Sequence, residues 1–447
     1  MRVCSSLLRR RGSRLGSSAP SLRPRPSPLS PPQLCHAPKR TKHQEPTTPL
    51  DFPKPPNAKR YPLTPQRRYD LTMTSTIYLD CNATTPPLPE VIDEVARVMR
   101  DCYGNPGSRH RAGRKARQVL EECRENIAGW LGASPTELIF TSGGTEANNL
   151  AIRGFARGTP GTIVISPGEH PSVLETCRAL VRDGWRLHQL PVDSAGRLIP
   201  EELPPDTRLV AAILAHNETG VIQDLAPLAA QCRARRIPLH LDGVQAVGKI
   251  PVDFHSLGAT SLSFGAHKFH GSRGVGGLLV AENATLLPIL TGGHQESERR
   301  AGTEPVALVA GMALALRAWH ATQAERSSQV QQRRDLLQRL LLEQSAPAVV
   351  NAAEAPRLPN TLNISFPGVD GEALLVALDL EGVACSLGTT CASGSSEPAA
   401  ILVAMGLSSD LYRSAVRFSL SYLNSQQEIE IAAERISRVV GSLRKRG

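Results

Sequence analysis

A single lysine, Lys268, lies in the stretch 263–271, which is otherwise rich in small and apolar residues. Gly271 follows it closely. A lysine is a poor nucleophile while it is protonated, and burial among apolar neighbours lowers its pKa toward neutrality. Such a lysine can form a Schiff base with an aldehyde, most often pyridoxal phosphate (PLP). A His–Lys pair in a turn is also an ordinary surface feature, so its interpretation depends on the rest of the chain.

A second stretch predicts an anion-binding site. Residues 138–141 form a short apolar run, and Ser142, two glycines and Thr145 then lead into a helix. The free N–H groups and the dipole of a helix N-terminus attract anions, and glycines such as Gly144 let the backbone approach a ligand closely. The stretch lacks the Gly-Lys-Ser/Thr of a Walker loop. A plain capped helix start would explain it equally well in isolation.

Three polar residues follow apolar strand-like runs, where open α/β sheets place ligand contacts. Asp242 could keep a pyridine nitrogen protonated, so that the ring withdraws electrons from a substrate. His170 could lie over a planar ring and move protons near neutral pH. Asn217 could donate a hydrogen bond to a ring oxygen. A helix cap, a loop histidine and an Asx turn are the corresponding structural alternatives.

Two further residues stand near the C-terminus. Cys391 lies in a small, polar, glycine-flanked stretch, which is typical of an exposed loop where a thiolate can react. Arg417 is a charge inside an apolar strand, so we expect a carboxylate partner for it. A structural salt bridge and a substrate clamp are both open interpretations.

The elements that must position these residues alternate between strands and helices. This alternation predicts an α/β fold with a mainly parallel sheet. The predicted strands are 76–79, 138–141, 162–166, 209–215 and 238–241, and the predicted helices are 89–99, 111–131, 147 onward, 172–183 and 225–236. Residues 306–316 form the longest apolar run, which is too short for a bilayer and predicts a buried helix.

The predicted organisation has four parts. Residues 1–72 form an extension without a fold, and residues 73–90 form an N-terminal segment that packs with a small domain. Residues 91–324 form the large domain, and 325–447 form the small α+β domain that carries the cysteine loop. The small domain begins with a polar helix at 325–343 and has strand candidates at 361–366, 384–386 and 414–420.

The first 72 residues differ from the rest in composition. They hold 15 Lys and Arg against 3 Asp and Glu, whereas the remaining 375 residues hold 36 against 38. The net charge of +10 therefore comes from this extension, and the near-neutral body argues against direct nucleic-acid binding. The composition of the extension predicts disorder. Three explanations of the extension stay open: a mis-assigned start before Met73, an organellar transit peptide, and a functional tail. The expected location is cytoplasmic, or the mitochondrial matrix if the transit peptide is genuine; no membrane association is expected.

The nine cysteines are irregularly spaced and include no Cys-x-x-Cys pair. This pattern argues against a disulfide framework and against a zinc site, and it favours a reducing compartment. No metal is predicted.

Seven motifs in order resemble one family. They are 82–86, 103–106, 141–149, 217–220, 267–268, 300–303 and 391–394. Together they resemble the PLP-dependent cysteine desulfurases of the nitrogen-fixation and iron–sulfur type, in the class-V aminotransferase family. The resemblance covers about residues 76–440 and implies fold type I, with a seven-stranded-type sheet in the large domain.

The resemblance also implies site roles. Lys268 would be the Schiff-base lysine and the base at the substrate α-carbon, His170 the ring-stacking acid/base, and Cys391 the nucleophile that receives sulfur as a persulfide from L-cysteine, releasing L-alanine. The implied cofactor contacts are Gly144, Thr145, His170, Asn217, Asp242, Gln245, His267, Lys268 and Thr303. The implied substrate contacts are Asn82, Ala83, Asn217 and Arg417.

Thr303 would come from the partner subunit of a homodimer, and the persulfide would pass to an acceptor protein in iron–sulfur assembly or tRNA thiolation. Gly265 and His216 depart from the family pattern, where serine and asparagine are usual. Selenocysteine lyase therefore remains the main alternative. A class-V aminotransferase-like enzyme and a non-catalytic scaffold are further alternatives.

Overall fold

A large sheet is the central feature of the computed structural model, which describes residues 76–387 and 398–445. Seven strands of the described chain form it in the order β2-β8-β7-β6-β5-β3-β4, and every pairing is parallel except those of β8. The strands are β2 (Leu138–Thr141), β3 (Thr162–Ile165), β4 (Arg186–Gln189), β5 (Thr207–Ile213), β6 (Leu239–Asp242), β7 (Ser261–Gly265) and β8 (Gly276–Val280).

Helices cover both faces of this sheet. Successive side chains along a strand point to opposite faces, and both sets are apolar here, so each face needs a helical layer to bury it. In β3, Ile163 and Ile165 pack into one apolar cluster and Val164 packs into the other. One cluster contains the inner faces of α3 (Gly144–Phe155) and α4 (Pro171–Arg182). The other cluster contains those of α1 (Pro89–Asp101), α2 (Arg111–Trp130), α5 (Ala226–Arg235), α6 (Phe254–Leu257) and α7 (Val306–His320).

A second, antiparallel sheet has its own apolar cluster. Its strands in the described part of the chain run β12-β10-β9, and α8, α9 and α12 cover it. A separate pair joins β1 to β11 in parallel. The bounds are β1 (Ile77–Tyr78), α8 (Gln323–Gln344), β9 (Val349–Val350), β10 (Thr361–Ser365), α9 (Gly371–Leu380), β11 (Val383–Ala384), α10 (Ala400–Ala404), α11 (Ser409–Arg413), β12 (Ala415–Ser419) and α12 (Gln426–Arg444).

The predicted α/β class with a mainly parallel sheet is confirmed. Helix α3 begins at Gly144, three residues before the expected Ala147. Several strands, β4 and β8 of the large sheet among them, have no counterpart in the sequence prediction. Strand β8 starts with two glycines, which strands seldom contain. The domain boundaries at 91 and 325 stay a prediction.

Within residues 76–387 and 398–445, no helix is long and apolar enough to cross a membrane. The same residues contain no group of three or more His, Cys, Asp and Glu side chains that could hold a metal ion.

Candidate active site

A cavity of about 490 Å³ lies at the carboxyl ends of the parallel strands. Motifs that are far apart in sequence line it together, because parallel strands end at one edge of the sheet. The predicted site residues among its lining are Ala83, Gly144, Thr145, His170, Asn217, Asp242, Gln245, His267 and Lys268.

The turn between β2 and α3 forms one wall of the cavity. Gly143 has φ 152° and ψ −178°, a conformation that only glycine adopts readily. A Cβ atom on Gly144 would lie 2.5 Å from Val244 Cγ2, so the helix start and the end of β6 can approach this closely only with glycine. The first N–H groups of α3 have no partner within the helix, which makes this wall suited to an anion.

Lys268 follows β7 and projects between the cavity and the N-terminal segment. Its Nζ donates to the carbonyl oxygens of Asn82 at 2.7 Å and Ala83 at 2.9 Å. Burial lowers the pKa of Lys268 to about 8, and the positive charge of Arg417 acts in the same direction. About one Lys268 amine in ten is then unprotonated at pH 7, far more than for an ordinary lysine.

Asp242, at the end of β6, is buried and held in a defined orientation. Its Oδ1 accepts from the Val244 N–H at 3.0 Å and its Oδ2 from Asn148 Nδ2 at 2.8 Å. Gln245 follows on the same turn; its Nε2 donates to the Asn82 carbonyl at 2.9 Å, and its Oε1 accepts from Lys249.

Two histidines, His170 and His267, line the cavity. Removal from bulk water lowers the pKa of His170, an effect that Asp242 opposes and the charge of Lys268 reinforces. His267 lies beside Thr84, with 3.1 Å between Nδ1 and Oγ1, and burial together with Lys268 lowers its pKa to about 4. His267 is therefore neutral at physiological pH.

Arg417 has the carboxylate partners that its place in an apolar strand predicts. Its guanidinium donates to Asp80 Oδ1 at 2.8 Å and to Glu218 Oε1 at 2.9 Å, and it also donates to the Asn217 carbonyl at 3.2 Å. Burial raises the pKa of Glu218, and the positive charge of Arg417 opposes this shift. The guanidinium thus lies next to Asn217 at the edge of the cavity.

Asn82 lies behind the cavity and joins both sheets. Its Oδ1 accepts from Lys249 Nζ at 2.7 Å, and its Nδ2 donates to Thr361 Oγ1 at 2.9 Å. Burial lowers the pKa of Lys249 well below its ordinary value. This network fixes the positions of the carbonyl oxygens that accept from Lys268. No signal in the sequence separates Lys249 from a surface lysine.

The structure does not bring every predicted residue to the cavity. Thr303 is exposed and does not line it. Asn82 and Arg417 contact lining residues but do not line the cavity themselves. Cys391 lies outside the described residues. His216 lies beneath the cavity wall: its Nε2 contacts the Gly168 carbonyl at 3.0 Å, and its Nδ1 accepts from the Glu218 N–H at 3.1 Å. The histidine at this position thus supports the loop that carries Asn217.

Two residues that sequence reasoning missed connect the predicted ones. Asn148 on α3 and Ser172 on α4 are buried and hydrogen-bond each other at 2.8 Å, and Asn148 also contacts Asp242. A buried polar residue inside a helix has no local signal. His240, a histidine inside an apolar strand, was the one visible hint of a buried polar network here.

Residues 77–431 match the class-V aminotransferase family. The chain is 38% identical over 379 residues to cysteine desulfurase IscS of Dictyoglomus turgidum, covering 83% of this chain and 96% of that relative. It is 40% identical over 375 residues to a cysteine desulfurase of Enterobacter agglomerans, covering 82% and 93%. A solved NifS-like protein superposes with a TM-score of 0.77 at 33% identity, covering 82% of this chain and all of that one.

The chain therefore belongs to the cysteine desulfurase group of the class-V aminotransferase family, whose members depend on PLP. The resemblance drawn from the seven motifs is confirmed.

Proposed function

We propose that this protein converts L-cysteine to L-alanine with PLP and passes the sulfur, as a persulfide on Cys391, to an acceptor protein. One observation carries the proposal: a single cavity collects a lysine of lowered pKa, a buried carboxylate, a histidine and a helix N-terminus. Each has an ordinary explanation alone, but a PLP enzyme needs all four together.

The cavity fits PLP in size and in chemistry. The N-terminus of α3, with Gly144 and Thr145, suits the phosphate, and His267 stands nearby. Asp242 offers an acceptor for the protonated ring nitrogen. Gln245 and Asn217 line the same space.

When bound, PLP supplies an electron sink for the bonds at the substrate α-carbon. Lys268 would hold the cofactor and then, with its pKa near 8, take up and return the proton at that carbon. Its two carbonyl acceptors give the free amine a fixed position between these tasks. His170 would be the second residue of the cavity that exchanges protons.

Arg417 would bind the substrate carboxylate, with Asn82, Ala83 and Asn217 around it. The Cys391 thiolate would then attack the substrate sulfur. The carbon–sulfur bond breaks, the new S–S bond leaves a persulfide on Cys391, and the substrate carbon takes up a proton to become alanine. Thiol plus cysteine gives persulfide plus alanine, so no external oxidant is needed.

Thr303 would complete the phosphate site from the second subunit of a homodimer. Its exposure and its absence from the cavity lining of its own chain support this assignment. The neighbouring Arg300 is held to Glu146 at 2.7 Å, so the 300–303 turn is anchored beside the start of α3. An acceptor protein would receive the sulfur.

The test is to give the purified protein L-cysteine and a reductant and to quantify alanine and sulfide for wild type, Cys391→Ala and Cys385→Ala. Cys385 is a matched control, because burial raises its pKa to about 12 and makes it a poor nucleophile. We expect wild type and Cys385→Ala each to give alanine and sulfide in equal amounts. We expect almost no alanine or sulfide from PLP-loaded Cys391→Ala. Turnover of selenocysteine alone would favour a lyase, and no alanine from either substrate would refute the proposal.

A further inference from the structure

A chain of hydrogen bonds runs from Asp242 to His170 through Asn148. Asn148 Nδ2 donates one hydrogen to Asp242 Oδ2 at 2.8 Å and the other to Ser172 Oγ at 2.8 Å. An ionised carboxylate only accepts hydrogen bonds, so the nitrogen of the amide, not its oxygen, must face Asp242. Asp242 thereby sets the orientation of Asn148.

The other side of Asn148 agrees with this orientation. Its Oδ1 lies 2.9 Å from His240 Nε2, and His240 Nδ1 lies 2.9 Å from Ser261 Oγ. An amide oxygen accepts only, so His240 carries its proton on Nε2 and accepts from the Ser261 hydroxyl at Nδ1. Burial lowers the pKa of His240 to about 4, which keeps this ring neutral.

Ser172 connects Asn148 to His170. Since Ser172 Oγ accepts from Asn148, its own hydrogen is free to point at His170 Nδ1, which lies 2.7 Å away. The backbone N–H of Ser172 also donates to the same nitrogen at 3.1 Å. With two donors directed at Nδ1, the neutral imidazole of His170 carries its proton on Nε2.

We propose that Asn148 is a positioning residue that makes His170 present Nε2–H toward the cavity. Asp242 accepts hydrogen bonds only, and this fixes the orientation of the Asn148 amide. The amide fixes the direction of the Ser172 hydroxyl, which in turn fixes the tautomer of His170. The tautomer follows from the geometry alone.

The use of this tautomer rests on the proposed function. A neutral His170 that presents Nε2–H donates a hydrogen bond at that atom and cannot accept a proton there. Lys268, with its lowered pKa, is then the group that takes up the α-proton. Lys268 thus acts as the base, and neutral His170 supplies a directed hydrogen bond.

The test is a long-range ¹H–¹⁵N spectrum of the full chain labelled with ¹⁵N-histidine, recorded with and without added PLP. His170→Gln identifies the His170 signals. We expect the Nε2–H tautomer in wild type and a fall of about fivefold in its preference over Nδ1–H in Asn148→Leu, the loss expected for one hydrogen bond. Ser172→Ala breaks the same chain one step later and serves if Asn148→Leu does not fold.

Asn149→Leu is the matched control. Asn149 is the next residue on α3 and also an amide. It donates to the Thr145 carbonyl and, at 3.5 Å, to the Ser172 carbonyl, and it accepts from Thr176, so its contact with Ser172 is to the backbone and not to the hydroxyl of the chain. It should leave the tautomer unchanged. An Nδ1–H tautomer in wild type, or an unchanged ratio in folded Asn148→Leu and Ser172→Ala, would overturn the inference. Absence of cysteine turnover would refute the proposed function without altering this spectrum.

Discussion

Gly265 offers a direct test of the phosphate site, because a serine there should strengthen cofactor binding. The residue ends β7 in extended backbone, with φ −139° and ψ 129°, which any residue adopts. A Cβ atom built on it would lie 3.4 Å from Gly144 N and 3.5 Å from His267 Cδ2, both ordinary contact distances. Gly265→Ser should therefore fold without strain and place a hydroxyl beside the N-terminus of α3.

The size of the effect follows from the kind of hydrogen bond gained. A hydrogen bond to a charged group contributes about 1.5–3 kcal/mol. Ordering the serine side chain offsets a part of this, leaving a net gain of about 1–2 kcal/mol. The dissociation constant for PLP should therefore fall about 5- to 30-fold. Titration of the apoprotein with PLP, followed by absorbance, measures it.

Two controls make the result specific. Gly265→Ala adds the Cβ without the hydroxyl and should bind PLP like wild type. Pyridoxal, which lacks the phosphate, should bind Gly265→Ser and wild type equally. If Gly265→Ser gains nothing over Gly265→Ala, or gains as much with pyridoxal, the phosphate does not lie at the start of α3.

Two other predictions concern Lys268 and Arg417. The rate at which apoprotein captures PLP covalently should rise with pH and level off above about 8, because the reactive amine is the unprotonated form; stopped-flow absorbance measures it, and a midpoint near 10 would contradict the lowered pKa. Arg417→Lys keeps the charge but loses the planar fork, so KM for L-cysteine should rise about tenfold or more with a smaller change in kcat. The preference for L-cysteine over its methyl ester should narrow in steady-state assays, and an unchanged preference would remove Arg417 from the carboxylate site.

The sequence predicted those parts of the site that carry local signals. Asp242, His170 and Lys268 each follow an apolar run, and parallel strands must bring such ends together. The predicted helices and strands match observed ones for the same reason, since the periodicity that predicts them is local. Strand β8 escaped prediction because Gly276 and Gly277 have no side chains to show a pattern.

The supporting residues could not be predicted in this way. Asn148 matters because α3 packs beside β6 and α4, and Lys249 matters because the N-terminal segment crosses above it. These are contacts between elements distant in sequence. No spacing in the chain reports them, and each residue alone resembles an ordinary polar residue.

The segment around Asp80 and Asn82 has a consequence for how the protein is made. Asp80 is held by Arg417, and the Asn82 N–H donates to Ser419 Oγ at 2.8 Å, so a wall of the site joins the first described strand to the last. A ribosome releases the chain from its N-terminus, so residue 419 emerges long after residue 82. A nascent chain that stalls before β12 therefore cannot assemble this wall of the site.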